Sequence, residues 1–177
     1  MHRLFVAIRP PRAMRQALRG IMGGIAGARW QDDAQLHLTL RFIGEVDRHV
    51  AEDVAAALGA IHHPRFLLAL DGLGQFDRRD RIDSLWAGVT PHDEVTALHN
   101  KVDQALTRVG IAPDTRAFLP HITIARFGRH AGPVEAMLSQ AAGLSGPAEE
   151  IDNFCLYESR LGSEGATYEI AARYPLD

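Results

Sequence analysis

His37-Leu38-Thr39-Leu40-Arg41-Phe42-Ile43-Gly44 is echoed later in the chain by His121-Ile122-Thr123-Ile124-Ala125-Arg126-Phe127-Gly128. Both stretches read His, apolar, Thr, apolar, then an Arg-Phe pair and a glycine. Short runs of Leu, Ile, Phe and Thr form strands because such side chains pack well on a pleated surface, and glycine ends them. On a strand, residues i and i+2 share a face. His37 and Thr39 therefore point one way together, while Leu38 and Leu40 point the other way, into a core. His121 and Thr123 stand likewise in front of Ile122 and Ile124. An imidazole beside a hydroxyl on a rigid strand, built twice, makes a candidate two-histidine active site. A lone His-x-Thr carries no such weight, since single strand histidines are mostly structural.

The flanks repeat as well. Residues 3–9 read as a strand stopped by Pro10-Pro11, and a helix follows over 12–25, weakened at its end by Gly20, Gly23, Gly24 and Gly27. Trp30 opens a short extended piece, then come the first histidine strand, a helix over 50–61 and a strand over 66–73. The pattern restarts with a strand over 84–90 stopped by Pro91, a helix over 93–109 and the second histidine strand. A helix over 134–142 and strands over 151–158 and 168–174 close the chain. Each half reads strand, Pro, helix, His-x-Thr strand, helix, strand, with the two histidines about half the chain apart. The expected fold is α+β, one unit spanning 1–177 made of two similar halves, about 1–80 and 81–177. Each half is expected to form an antiparallel sheet backed by helices, and a pseudo-two-fold axis would bring the His-x-Thr strands together across a central cleft. Gln75–Asp83, dense in Asp and Arg, is expected to be a solvated surface connection.

Composition narrows the chemistry. At 46% hydrophobic and 23% charged residues the chain is an ordinary globular protein. A net charge of −3 argues against a broad basic face for non-specific nucleic-acid binding. An anionic substrate would have to be held locally by a few arginines. Cys155 is the single cysteine, so neither a disulfide framework nor a cysteine-based zinc site is expected. The apolar run Leu4–Ile8 is too short for a signal peptide, and no run approaches the ~20 apolar residues of a membrane helix. A cytoplasmic protein without a membrane partner is expected. His62, His63, His92, His99 and His130 fit no standard zinc spacing and are expected at helix ends and on the surface. No metal and no cofactor are expected.

In its motifs the sequence resembles the 2H phosphoesterase family, named for two His-x-Thr motifs, and is most similar to its RNA 2′,3′-cyclic phosphodiesterases, also called 2′-5′ RNA ligases. The resemblance runs through Arg3-Leu4-Phe5-Val6-Ala7-Ile8, His37 to Val46, Leu85-Trp86-Ala87-Gly88-Val89, Leu119 to Arg126, Leu156-Tyr157-Glu158-Ser159, and Gly165 with Tyr168. It thus covers nearly the whole chain. The acidic stretch Arg78–Asp83 and the segment Gly128-Arg129-His130 depart from the family pattern without touching the histidines.

The resemblance implies hydrolysis of RNA 2′,3′-cyclic phosphate ends to 2′-phosphomonoesters, with weak reverse 2′-5′ ligation. His37 would be the proton donor to the leaving ribose oxygen and His121 the proton acceptor from water, a division of roles that the sequence symmetry leaves open. Two imidazoles of pKa near ~6.5 can perform both proton transfers at neutral pH without a metal. Thr39 and Thr123, each on its histidine's face, can hydrogen-bond non-bridging phosphate oxygens. The resemblance also implies that Arg126 contacts the substrate. Strict alternation, however, puts Arg126 on the face opposite His121, so either a bulge or the strand's end re-aims it or its role is structural. The same count puts Arg41 on the His37 face as a rival phosphate contact, and Phe42 in the core. The partner implied is RNA with a cyclic phosphate end or a small cyclic nucleotide, with no protein partner and a monomeric chain. Two other readings stand beside this one. One is a 2H esterase acting on a small cyclic phosphate or a 2′-5′ oligonucleotide; the other is a non-catalytic module that binds RNA ends.

Overall fold

A computed structural model describes residues 1–177. The chain runs β1 (His2–Ile8), α1 (Arg12–Ile21), β2 (Ala28–Trp30), a 3-10 turn (Asp33–Gln35), β3 (Leu38–Val46), α2 (Arg48–Gly59), β4 (Phe66–Arg78), β5 (Arg81–Thr90), α3 (Asp93–Arg108), β6 (His121–Phe127), α4 (Glu135–Gln140), β7 (Glu149–Ile151), β8 (Asn153–Gly162) and β9 (Gly165–Pro175). The α+β class, the antiparallel sheets and the helices behind them are as the repeat implied. Helix α1 stops at Ile21, earlier than its apolar spacing suggested, because Gly23 and Gly24 adopt positive φ (121° and 78°). Helix α2 starts two residues earlier than expected, where the Asp47 carboxylate accepts from the Val50 amide at 2.9 Å.

The strands lie in the order β7-β4-β5-β6-β3-β1-β8-β9, with β2 pairing β6 from the side. Every pairing is antiparallel. Two four-stranded lobes, β6-β5-β4-β7 and β3-β1-β8-β9, meet at the centre of this order through the two histidine strands. The sequence repeat and the spatial lobes do not coincide. β4 from the first half pairs with β5, and β8 from the second half pairs with β1 and carries β9 with it, so the first half hands β4 and the second half hands the β8–β9 hairpin to the opposite lobe.

At the junction β3 and β6 share one register pair, Leu38 with Ile122. Both residues are essentially unexposed, and each such burial contributes about 1.5–3 kcal/mol. Beyond that pair β3 turns to β1 and β6 to β5, which splays the lobes into a groove. On the convex side Leu4, Val6 and Ile8 of β1 join Leu38, Leu40, Ile122, Ile124 and the helices in one continuous core. Helices α2 and α3 lie side by side, α3 against β3 and α2 against β1 and β9. On the groove side Phe5, Ala7, Cys155 and Tyr157 form a second, smaller cluster. None of the helices is long and apolar enough to cross a membrane.

The stretch Gln75–Asp83 lies at the surface, as its charges suggested, but it is not an irregular connection. It forms the outer part of a β4–β5 hairpin, with Phe76 opposite Ser84, Asp77 opposite Ile82 and a turn in which Arg79 and Asp80 adopt positive φ. Alternating acids and arginines on a ribbon solvated on both faces look like a loop in sequence, yet the hairpin rungs hold it extended.

Candidate active site

In an antiparallel pair centred on Leu38 and Ile122, the next positions bring His37 opposite Thr123 and Thr39 opposite His121. All four side chains face the groove, since Leu38 and Ile122 face the core. The pseudo-two-fold axis passes between Leu38 and Ile122, and the two motifs become one quartet. Each histidine then lies diagonally across from the other.

Both imidazoles are oriented by the same device. His37 Nδ1 lies 2.7 Å from the Gln35 carbonyl, and His121 Nδ1 lies 2.7 Å from the Leu119 carbonyl. A carbonyl oxygen can only accept, so each Nδ1 carries the proton and donates it. That leaves Nε2 on both rings unpaired and free to take or give a proton. Each carbonyl sits in a loop pinned by an arginine. Arg9 donates to the Asp33 and Leu36 carbonyls and pairs with the Asp33 carboxylate at 3.0 Å, flanking Gln35. The Asp32–Gln35 capping box holds the same turn. Arg41 pairs with Asp103 of α3 at 2.7 Å and donates to the Ala112 carbonyl at the start of the loop leading to Leu119. In that loop Phe118 stacks on His99, at 4.1 Å between centroids and 2° between planes, while His99 Nδ1 donates to the Leu40 carbonyl.

Aromatic walls flank both rings. His37 lies 4.9 Å from Phe5, 5.2 Å from Tyr168 and 6.1 Å from Tyr157 between ring centroids. His121 lies 5.0 Å from Phe76 and 5.7 Å from Trp86. These walls withhold water from the charged form, and burial is the largest cause of a depressed pKa at both histidines. His37 is pushed down to about 4, with the Gln35 hydrogen bond opposing and the charges of Arg126, His121 and Arg9 adding to the depression. His121 is lowered in the same way, with the Leu119 hydrogen bond opposing and Arg126 assisting. Burial also pushes the unpartnered Tyr157 hydroxyl up to about 12, so it stays neutral.

One irregularity, made twice, decides where the arginines go. In the β1–β3 ladder Val6 pairs with Arg41 and Ala7 with Thr39, leaving Leu40 without a partner. In the β5–β6 ladder Leu85 pairs with Ala125 and Trp86 with Thr123, leaving Ile124 without one. Each bulge adds one residue and reverses the alternation beyond it. Arg126 is thereby turned to the groove, exposed, on the face of Trp86, and its charge acts on both histidines. Arg41, expected beside His37, is turned to the helix side, where it is 6% exposed and held by Asp103 and two carbonyls. It is a strut for the site rather than a free cation. Phe42, expected in the core, is 53% exposed on the groove side for the same reason. Phe42 and Arg126 occupy equivalent positions in the two motifs, and they break the two-fold symmetry into an apolar end and a cationic end.

The aromatic walls have no signal in the sequence beyond apolar residues at alternate strand positions. Of the other histidines, His63 and His99 are buried rather than superficial. His63 Nε2 lies 3.2 Å from Glu94, outside good hydrogen-bond geometry.

The profile of the 2′-5′ RNA ligase superfamily matches residues 9–162. An RNA 2′,3′-cyclic phosphodiesterase of Aeropyrum pernix is 33% identical over 141 residues, 78% of this chain and 80% of that protein. A solved structure of Escherichia coli LigT complexed with 3′-AMP superposes with a TM-score of 0.78 at 26% identity, covering 99% of this chain and 98% of that one. A structure from Thermus thermophilus has a TM-score of 0.83 at 24% identity, covering 98% and 97%, a likeness of fold.

Proposed function

Since the chain belongs to the 2′-5′ RNA ligase superfamily, the 2H phosphoesterases, we propose that its groove hydrolyses RNA 2′,3′-cyclic phosphate ends to 2′-phosphomonoesters. The observation that carries this reading is the quartet. Two imidazoles with free Nε2 atoms stand diagonally across one groove, each beside a threonine and both near Arg126.

An in-line displacement at phosphorus needs a base on the entering oxygen and an acid on the leaving oxygen, on opposite sides. In this reading His121 Nε2 takes a proton from water while His37 Nε2 gives one to the ribose O3′. The P–O3′ bond breaks, and the phosphate stays on O2′. Of the threonine hydroxyls, Thr107 and Thr167 bond to protein carbonyls, while those of Thr39 and Thr123 are left to donate to non-bridging oxygens. Arg126 adds its charge at the cationic end. These protein groups cover both proton transfers and the developing charge, so the reading is metal-independent.

The low histidine pKa values fit a site made for an anion. In the free protein Arg126 and the aromatic walls keep both rings neutral. A bound phosphate supplies the opposite charge that raises them, so protonation of His37 is coupled to substrate binding. Running the same steps with a 5′-hydroxyl in place of water as the entering group forms a P–O5′ bond as the P–O3′ bond breaks, giving a 2′-5′ linkage. The groove is complete within one chain, and we take the protein to act as a monomer in the cytoplasm.

The test is product identity. Nucleoside 2′,3′-cyclic phosphates and a cyclic-ended oligoribonucleotide are incubated with the protein in EDTA, and the products are resolved by phosphorus NMR. The reading expects the 2′-phosphate alone. Formation of the 3′-phosphate, or no turnover of either substrate, defeats it.

A further inference from the structure

Resting on the reading above, we infer that Arg29 holds the phosphodiester that precedes the cyclic end, so that a cyclic end carried on a strand is preferred to a free cyclic nucleotide. Strand β2 pairs with β6 alone, with Ala28 opposite Phe127, Arg29 opposite Arg126 and Trp30 opposite Ala125. Ala28 and Trp30 pack against the main core, so Arg29 between them points to the groove side, where it is exposed. Across the sheet Arg29, Arg126, Ser84 and Phe76 make one row, and Phe76 lies against His121. Like charges directly opposite each other on one face repel. Arg9, Arg15 and Arg41 around the site are each tied to a carboxylate, whereas Arg29 and Arg126 make no ion pair and no side-chain hydrogen bond. Backbone contacts hold the two together regardless. The Gln31 amide donates to the Ile124 carbonyl at 2.9 Å and the Gly132 amide to the Ala26 carbonyl at 2.7 Å. Between them Gly27, at φ 80°, passes where a Cβ would stand 2.0 Å from the His130 carbonyl oxygen. A pair of free cations fixed side by side is a site prepared for phosphate.

The position of Arg29 selects which phosphate. Strands β2 and β3 lie along one edge of β6 and β5 along the other. Arg29 therefore stands on the His37 side of the groove, where O3′ of the terminal ribose leaves. Thr123, Trp86 and Gly74 form the row that belongs to the quartet, and the Arg29 row lies two residues further along β4, at Phe76. Two residues of strand span about 7 Å, the scale of one sugar-phosphate repeat. With the cyclic phosphate on the quartet and Arg126 beside it, the next phosphate toward the 5′ end falls at Arg29. A nucleoside 2′,3′-cyclic phosphate has no such group. Because the contact is to the backbone, it reads the presence of a strand and not its sequence.

The experiment measures kcat and KM for hydrolysis of three substrates by wild type, Arg29→Ala and Arg29→Lys. They are a nucleoside 2′,3′-cyclic phosphate, a dinucleotide with a 2′,3′-cyclic end, and the same dinucleotide joined by an uncharged methylphosphonate. Arg29→Ala should lose about tenfold in kcat/KM on the dinucleotide, through KM, and stay within about twofold of wild type on the other two. Its plot of log kcat/KM against log salt for the dinucleotide should flatten by about 0.7. Arg29→Lys keeps the charge and should recover part of the loss. The inference is overturned if Arg29→Ala slows all three substrates alike, since the residue then serves the reacting phosphate or the fold. It is equally overturned if the dinucleotide keeps its wild-type kcat/KM, or if the methylphosphonate loses as much as the phosphodiester. Should wild type hydrolyse none of the three, the function proposed above fails first and this inference falls with it.

Discussion

Replacing Gly74 with alanine asks whether the aromatic wall is what holds His121 in place. Gly74 on β4 lies opposite Trp86 on β5, and a Cβ added there would meet Trp86 Cζ2 at 2.3 Å and Cη2 at 2.4 Å. Carbon atoms pack at about 3.5 Å, so the indole must retreat by about 1 Å. It has little room to do so, because its ring lies 5.3 Å from Phe76 and 5.7 Å from His121 between centroids. Overpacking of this kind costs about 1–3 kcal/mol, and a displacement of about 1 Å at a reacting group costs up to about 10²-fold in rate. Gly74→Ala should therefore keep its far-UV circular dichroism, lose a few degrees of Tm, and hydrolyse cyclic phosphate about 10- to 100-fold more slowly. Trp86→Leu removes the atoms that clash, so adding Gly74→Ala to it should cost almost nothing further. The reasoning is refuted if folded Gly74→Ala has wild-type kcat. It is also refuted if the alanine costs as much with Leu at position 86 as with Trp.

The other predictions concern charge. Both histidine pKa values lie below the ordinary 6.5, so the pH profile of kcat/KM should peak on the acid side of neutrality, and that of kcat at higher pH once phosphate is bound; a kcat/KM optimum above about 7.5 would contradict this. The unfolded chain protonates His37 below ~6.5 whereas the folded chain does so only near 4. Stability should therefore fall as pH drops through that window, and denaturant titrations of His37→Gln should show a flatter decline. Arg126→Ala removes a positive charge from both histidines and from the substrate. It should lower kcat/KM by about 10²-fold and move the kcat/KM profile to higher pH. Arg41→Ala should instead leave KM nearly unchanged and cost about 2–4 kcal/mol in urea, because the partly buried Asp103 loses its partner.

Much of the site is legible in the sequence because strand alternation is a local rule. His37, Thr39, His121 and Thr123 sit on the groove face that period two assigns them, and Leu38 and Ile122 sit behind them in the core. The count fails two residues further on, where the bulges at Leu40 and Ile124 reverse it. Nothing in Leu40-Arg41-Phe42 or Ile124-Ala125-Arg126 announces a bulge, since its cause lies in the partner strands β1 and β5. Arg41 and Phe42 were for that reason expected on the wrong faces, and only the resemblance spoke for Arg126. The exchange of β4 for the β8–β9 hairpin between lobes is likewise invisible to a repeat read along the chain, because strand partners are chosen by tertiary packing. Phe76 reaches His121 from a hairpin whose charges look like a loop. The quartet is local chemistry, and its walls are long-range structure.

The central claim is that His37 and His121 act as an acid and base pair on one phosphate. The most direct measurement is single-turnover hydrolysis of a cyclic-ended oligoribonucleotide, with EDTA present, by wild type, His37→Ala, His121→Ala and the double variant. The account predicts a fall of about 10²-fold or more in each single variant. The double variant should be little worse than either single one, because the two rings work as a unit. A folded single variant that keeps the wild-type rate would contradict it.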